Sequence, residues 1–306
     1  MNLDLISLQL FVRVATLGAI GRAGAELGLS RTSASQRLQA LEASLGLSLF
    51  NRTTRAVSLT ADGERFLPHA LRILDDIETA RLDLSDSTNR ISGVVRVTAS
   101  AAFGRSHIVP FVPDFLAVYP DITLDLHLTD SIIDIVEQGY DLAYRVASLE
   151  SSSLLAQKVD EDPRWLIASP DYVARRGAPQ TPEDLYGHTC LPLGEVRTWS
   201  LRNSAGDISE VRVKGPVKIN MGSALHEWIL SGMGIGLAAL WYVGPALREG
   251  RLVRILPDYT PWPATKIWAV RPPGRVMSAR VRAFMDFMHD RILSTNRAQY
   301  GGLDVL

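Results

Sequence analysis

The chain has 306 residues, 46% hydrophobic and 21% charged, which is long enough for two or three domains and too apolar for disorder. Its formal net charge of -1 (32 basic against 33 acidic groups) excludes a surface uniformly basic for nucleic acid, but not a local patch. A single cysteine, Cys190, excludes an intramolecular disulfide framework and a four-cysteine zinc site.

The opening MNLDLISLQLF has no basic segment before its apolar stretch, and Arg13 and Arg22 interrupt any longer apolar run. Neither a signal peptide nor a membrane span is expected, so the expected location is the cytoplasm, with no membrane partner. Charge is unevenly spread. Residues 1–60 carry six arginines against three acids, and residues 61–90 carry four arginines against seven acids. A small basic module therefore precedes a near-neutral body.

In chain order, Leu5, Leu8, Phe11, Val12 and Ala15 recur at three- and four-residue steps and predict an amphipathic helix ending at Gly18. A short helix follows, Ile20 to Leu27. Gly28-Leu29-Ser30 reads as a turn, with Gly28 in the left-handed region and Ser30 as an N-cap. A third helix, Arg31 to Leu45, buries Ala34, Leu38, Leu41 and Leu45; Thr32, Gln36 and Gln39 point away, with Ser33 and Arg37 on the flank. Short hydroxyl, amide and guanidinium side chains on one helix face suit base edges in a major groove, although a solvated face has the same composition. Leu47–Phe50 and Ala56–Leu59 then bracket the polar turn 51–55 as a hairpin wing, whose Arg52 and Arg55 suit phosphates or a minor groove.

The run from Arg22 to Leu67 resembles the N-terminal domain of LysR-type transcriptional regulators. The resemblance rests on Arg22-Ala23, Leu27, Ser30, Ser35, Leu41-Glu42, Leu45-Gly46, Leu49-Phe50, Arg52, Leu59-Thr60 and Gly63 at fixed spacing. Ala19, Gly21 and Gly24 depart from the Ser, Ser or Thr, and Ala usual in that family. Two glycines in a short helix cost about 1 kcal/mol each against alanine, so a weakly held second helix is expected. The resemblance implies binding to double-stranded promoter DNA through Ser30, Arg31, Thr32, Ser33, Gln36, Arg37, Arg52 and Arg55.

From Ala61 to about Ser85, Leu67, Ala70, Leu74, Ile77 and Leu84 recur at helical spacing, with Phe66, Ile73 and Ala80 widening the stripe and Arg81 breaking it. Such a helix packs either on its own domain or against a second copy; the family favours a dimer seam, in a homodimer or a homotetramer. Pro68 should bend the helix or mark a late start, and Ser87–Arg90 reads as a hinge.

Beyond the hinge, strands are predicted at Gly93–Thr98, Ile122–Leu128, Asp141–Val146, Arg164–Ser169, Val217–Asn220, Ile235–Ala239 and Ile267–Val270. Helices are predicted at Ile108–Tyr119, Ile132–Gln138, from Asn220 to about Ser231, and at Ala279–Leu293, which implies a mainly parallel α/β sheet in each of two units. Tyr119-Pro120, Gly139–Leu142, Ala168–Pro170 and Gly232–Gly236 extend the resemblance to the family's effector domain. The implied fold is a winged helix-turn-helix (1–60), a linker helix and hinge (61–90), and two Rossmann-like lobes of the type 2 periplasmic-binding-protein kind. Lobe I would take 91–161 and 266–306, and lobe II 162–265.

A cleft between such lobes lies at strand ends, where α/β sheets bind ligands. Ser100 and Thr129 each follow a strand, match the family's usual effector-contacting positions, and suit a carboxylate or other anion; plain helix capping is the competing reading. Arg145 could neutralise such an anion or pair with Asp141 or Asp130. Trp199, Asn220 and Met221 are candidates from lobe II. There is no nucleophile elbow and no phosphate loop, Gly232–Gly236 follows a helix rather than a strand, and the six histidines lack metal-ligand spacing. No catalysis, metal or cofactor is expected. The competing classes are a solute-binding protein, which leaves the first ninety residues unexplained, and an α/β enzyme with an appended DNA-binding module.

Overall fold

The computed structural model describes residues 4–52, 57–84, 91–131, 133–148, 155–273 and 277–303, the side chains of 52, 75 and 78–84 excepted. The described residues fall into two compact units, one drawn from 1–94 with 134–139 and the other from 95–133 with 140–306.

In the first unit Asp4 caps α1 (Leu5–Leu17), accepting the Ser7 amide at 3.0 Å and the Ser7 hydroxyl at 2.5 Å, and Gly18 ends the helix at φ 62°. After α2 (Ile20–Glu26), Gly28 takes φ 68° and Ser30 caps α3 (Arg31–Leu45) by accepting the Ser33 amide at 3.1 Å. α3 buries Ala34, Leu38 and Leu41 against Leu8, Phe11 and Val14 of α1 and Ala23 of α2. Gly24 gives the second helix a tight seat rather than a weak one. A Cβ there would stand 2.8 Å from the Ala34 Cβ and 3.3 Å from the Leu29 carbonyl, so its absence lets α2 and α3 touch.

The wing pairs β1 (Phe50–Arg52) antiparallel with β2 (Val57–Leu59), Phe50 opposite Leu59. The first strand is shorter than the sequence predicts, because the Leu49 and Phe50 amides donate to Glu42 Oε1 of α3 at 2.8 and 3.2 Å. α4 (Ala61–Leu84) begins where the Thr60 hydroxyl accepts the Gly63 amide at 3.0 Å, and it runs unbroken through Pro68. Leu67, Ala70, Ile73 and Leu74 pack on the core of their own unit, while Ile77 is 37% exposed. The first half of the expected dimer seam therefore serves the module itself. The side chains of Ala80, Arg81 and Leu84 and the hinge Ser87–Arg90 lie outside the described residues. Residues 134–139 do not form the predicted helix. Asp134 caps a single turn, accepting the Val136 and Glu137 amides at 2.8 and 3.0 Å, and Gly139 closes it at φ 72°; Ile132 lies outside the described residues.

The second unit opens with β3 (Gly93–Ala99), α5 (Ala101–His107), α6 (Val112–Val118), β4 (Ile122–Leu128), β5 (Leu142–Ala147) and β6 (Leu155–Asp162). The predicted helix from Ile108 is in fact a 3-10 turn at Val109–Phe111 followed by α6, with Pro110 and Pro113 each in the first turn of its element, where a missing amide is tolerated. β7 (Arg164–Ala168), α7 (Pro170–Arg176), β8 (Cys190–Leu191), β9 (Thr198–Asn203), β10 (Ile208–Arg212), α8 (Gly222–Leu230), β11 (Ile235–Ala239), α9 (Leu240–Arg248), β12 (Val253–Ile255) and β13 (Tyr259–Pro261) follow. β14 (Thr265–Arg271) and α10 (Ala279–Tyr300) complete the chain's elements. Val217–Asn220 is not a strand; it contributes one isolated bridge, Ile219 to Leu193.

The first sheet has the order β4-β3-β5-β14-β6, the second β12-β7-β11-β8, and a small third β10-β9-β13. The sheets are mixed rather than mainly parallel. β3 pairs parallel with β5, but β14 runs antiparallel to both β5 and β6, and β7 antiparallel to β11 and β12. The reason is the chain path. β6 leads out of the first sheet at Asp162, β14 returns at Thr265, and the two lie side by side in opposite directions. α10 covers the first sheet through Phe284, which meets Phe115 of α6 at 5.0 Å, and its far end reaches α9, where a Cβ on Gly244 would stand 1.9 Å from the Gln299 carbonyl.

Gly63 offers the sharpest test of the first unit. A Cβ there would lie 2.1 Å from the Leu49 carbonyl oxygen. Gly63→Ala is expected to cost about 1–3 kcal/mol by overpacking, read as a lower midpoint in urea unfolding. An unchanged midpoint would mean that the turn at Leu49 yields freely.

Candidate DNA interface and ligand cleft

α3 presents its predicted reading face. Ser30, Arg31, Thr32 and Gln36 are exposed, and Ser33 is half-buried, its hydroxyl accepting from Ser30 Oγ at 3.0 Å. Arg37 is not free: its guanidinium donates to both Asp4 carboxylate oxygens, at 3.1 and 3.3 Å, and so braces α3 against the start of α1. The Ser7 hydroxyl first, and the Arg37 charge after its other bonds, hold the Asp4 carboxyl below the usual range. Arg13 is likewise paired with Glu26. Among the described residues, Arg22 and Arg31 make no ion pair. Arg55 and the Arg52 side chain lie outside the described residues.

In the second unit, Ser100 and Thr129 follow the ends of β3 and β4, and Arg145 stands inside β5, one residue past the pairing of Ala99 with Tyr144. Ser100 precedes α5 directly after β3, and its hydroxyl makes no capping bond. Thr129 follows β4, tied to β3 by its amide on the Ala99 carbonyl at 2.9 Å, and its hydroxyl accepts the Ser131 amide at 3.2 Å. Arg145 lies on β5, next to β3, and donates to Thr98 Oγ1 at 3.4 Å and the Tyr144 carbonyl at 3.5 Å. It makes no ion pair among the described residues, and burial lowers its pKa. Asp141 is engaged elsewhere, accepting the Arg96 amide at 2.9 Å.

The sequence reading missed the role of Asp130. Its Oδ1 accepts the Ala101 amide at 2.8 Å, so the start of α5 already holds a carboxylate, and its Oδ2 is buried without a hydrogen-bond partner. An acid immediately after Thr129 was the available signal. Two lobe II candidates, Asn220 and Met221, are exposed at the start of α8, and no bond joins them to Ser100, Thr129 or Arg145. The third, Trp199, is not a cleft wall. It is 4% exposed and points with Leu201 from β9 into a core with Leu166, Tyr172 and Val211. Cys190 is buried in that same core, its thiol pushed up to about 12 by burial. Among the described residues no cluster of His, Cys, Asp or Glu could hold a metal ion, and no helix is long and apolar enough to cross a membrane.

The two crossing strands are fixed by buried polar bonds. Asp162 receives Arg164 Nε at 2.6 Å, Trp241 Nε1 at 2.7 Å and Thr265 Oγ1 at 2.6 Å. Asn296 of α10 donates to Asp160 at 2.7 Å and accepts from His107 Nε2 at 2.8 Å. The His107 ring stacks on Phe103 at 4.4 Å and meets the Trp241 edge at 5.1 Å, and its Nδ1 is buried without a hydrogen-bond partner.

Burial pushes the His107 pKa down, against the pull of Asn296 and of the carboxylates Asp160 and Asp162. The folded protein therefore resists a proton that the unfolded chain takes up below about pH 6.5. Burial acts in the same direction on His188 and His226. Stability is expected to fall as pH drops through that value, and His107→Phe should flatten the slope. An identical slope in the variant, measured by denaturant midpoints across this pH range, would assign the effect to other groups.

Residues 5–64 match the family model of the bacterial regulatory helix-turn-helix protein, lysR family, and residues 88–292 match the LysR substrate binding domain. The chain is 35% identical over 292 residues to the HTH-type transcriptional regulator DmlR of Escherichia coli K12, covering 94% of each protein. Among solved structures, CrgA of Neisseria meningitidis, a LysR-type transcriptional regulator, is 29% identical with a TM-score of 0.60, covering 95% of this chain and 99% of that one. The full-length Vibrio cholerae virulence activator AphB is 28% identical with a TM-score of 0.58, covering 94% and 98%.

Proposed function

Because the chain belongs to the LysR family of bacterial transcriptional regulators, with its helix-turn-helix and substrate-binding domains, we propose that it is a cytoplasmic regulator of promoter DNA controlled by a small carboxylate. The observation that carries the ligand class is Arg145. It is a half-buried cation that makes no close ion pair among the described residues, although the Asp130 carboxylate acts on it from a distance, and it stands beside the strand ends that carry Ser100 and Thr129. Its guanidinium offers a two-pronged seat for the anion, and the two hydroxyls orient it. The Asp130 carboxylate already occupies the Ala101 amide, and a ligand anion would share the Arg145 charge with it. Ligand that prefers one arrangement of the lobes shifts the protein toward it, and through the linker changes the spacing or bend of bound DNA.

On the DNA side, the α3 N-terminus enters the major groove, with Arg31, Thr32, Ser33 and Gln36 at base edges and Arg52 and Arg55 on the backbone. Arg37 acts as a brace for the reading helix rather than a reader. Two copies, or two pairs of copies, joined through the distal part of α4 would read an interrupted inverted repeat.

Gln36→Ala is expected to lower the preference for operator over scrambled DNA by about 1–3 kcal/mol, measured as the ratio of the two affinities at fixed salt. A ratio equal to that of the unaltered protein would remove Gln36 from base reading. For the ligand, a thermal-shift panel of small carboxylates should contain one that adds about 2.7 kcal/mol at a hundred times its dissociation constant, a rise of roughly 5–11 °C. Arg145→Ala should abolish that rise. A panel flat in the unaltered protein would end the carboxylate reading.

A further inference from the structure

A cavity of about 270 Å³ lies on the α10 side of the first sheet. Tyr144 of β5, Val159 of β6 and Ala269 of β14 line it from the sheet, and Asp286, His289 and Asp290 line it from α10. Successive residues of a strand face opposite sides of its sheet, so Tyr144 and Arg145 serve different faces and this cavity is separate from the strand-end cleft. Its volume is several times a water molecule's share of liquid, about 30 Å³.

Its polar groups are unmatched. Tyr144 is 1% exposed, yet its hydroxyl makes no hydrogen bond to any described residue. Its hydroxyl, in the cavity wall, is open to hydrogen bonding with whatever fills the cavity. Burial and then the Asp286 carboxylate raise the pKa of the phenol, which keeps it protonated. Asp286 and Asp290 are exposed, one helical turn apart, and neither makes an ion pair or hydrogen bond to a described residue. Arg291, which could have neutralised them, instead lies over the Phe287 ring at 3.4 Å and donates to the Phe287 carbonyl at 3.1 Å.

The lining thus joins the apolar Val159, Ala269 and Met285, the Tyr144 hydroxyl, the Gln157 amide, the His289 ring and two carboxylates that make no ion pair among the described residues. We propose that this cavity binds a small organic ammonium ion, its charged head between Asp286 and Asp290 and its short apolar body over Val159, Ala269 and Met285. A carboxylate would meet like charge at the mouth, and the described residues offer no triad for a metal. The site touches both crossing strands. Val159 is next to Asp160, which α10 already holds through Asn296, so an occupant wedged between α10 and β6 bears on the segment where the lobes join.

The test is calorimetric titration of the full-length protein with n-butylammonium chloride, with sodium butyrate at equal ionic strength as the control. Saturable binding of the amine alone is expected. It should weaken about tenfold or more, the equivalent of about 1.4 kcal/mol, in the Asp286→Asn, Asp290→Asn double variant. Tyr144→Phe should also weaken it while raising the melting temperature of the unliganded protein, a combination that a purely structural tyrosine would not give. Arg145→Ala should leave it unchanged, which keeps this result independent of the carboxylate site. No saturable binding, equal binding of butyrate, or undiminished binding by the double asparagine variant would each overturn the proposal.

Discussion

The buried carboxylate of Asp162 is the constraint on which the ligand-binding unit depends. A carboxylate taken out of water is strongly unfavourable unless its lone pairs are filled. Here they are filled by three donors from three different places: Arg164 at the start of β7, Thr265 at the start of β14, and Trp241 on α9. The requirement for full satisfaction therefore fixes both passages of the chain between sheets and docks α9 on the same point. Trp241 carries the constraint further, because its ring is also the edge against which Phe103 and His107 of α5 pack, at 5.5 and 5.1 Å. α5 begins at Ser100, so one buried anion sets the position of the element that starts at the cleft.

The DNA-binding unit is governed by contact rather than charge. Two glycines let backbones approach where any side chain would intrude, Gly24 between α2 and α3 and Gly63 beneath Leu49. Around them the capping hydroxyls of Ser30 and Thr60 satisfy the first amides of α3 and α4. The reading helix is thus held on both sides, by the glycine seam on one face and by the Arg37–Asp4 bridge on the other.

Features encoded by neighbouring residues were legible in the sequence. α3 could be read to its ends because Ser30, the Ala34–Leu38–Leu41 stripe and Gly46 are all local signals. β4 alternates clearly enough to be bounded from the pattern alone. Features set by distant partners were not. β6 was missed because it is an edge strand rich in Lys158, Asp160, Glu161 and Asp162, whose place depends on β14 more than a hundred residues away. α5 was missed because its apolar signal is little more than Phe103, and its start is marked by Asp130 from another strand end. Trp199 was misassigned because an aromatic residue in a strand reads the same whether it lines a cleft or a core. At the candidate site the hydroxyl, guanidinium and Asp130 positions were visible one by one, but the bond from the Ala101 amide to Asp130 joins two strand ends distant in sequence and appears only in three dimensions.

The internal pairing of Arg37 with Asp4 and of Arg13 with Glu26 has a consequence for thermodynamics in solution. Binding to DNA draws much of its free energy from small cations set loose when protein charges replace them along the phosphates, and the steepness of the ionic-strength dependence counts those replacements. An arginine already neutralised by its own fold displaces few of them. Each module should therefore behave as a lighter polycation than its six arginines indicate. Complexes that persist as ionic strength rises leave a larger share of recognition to groove contacts, which depend on base sequence.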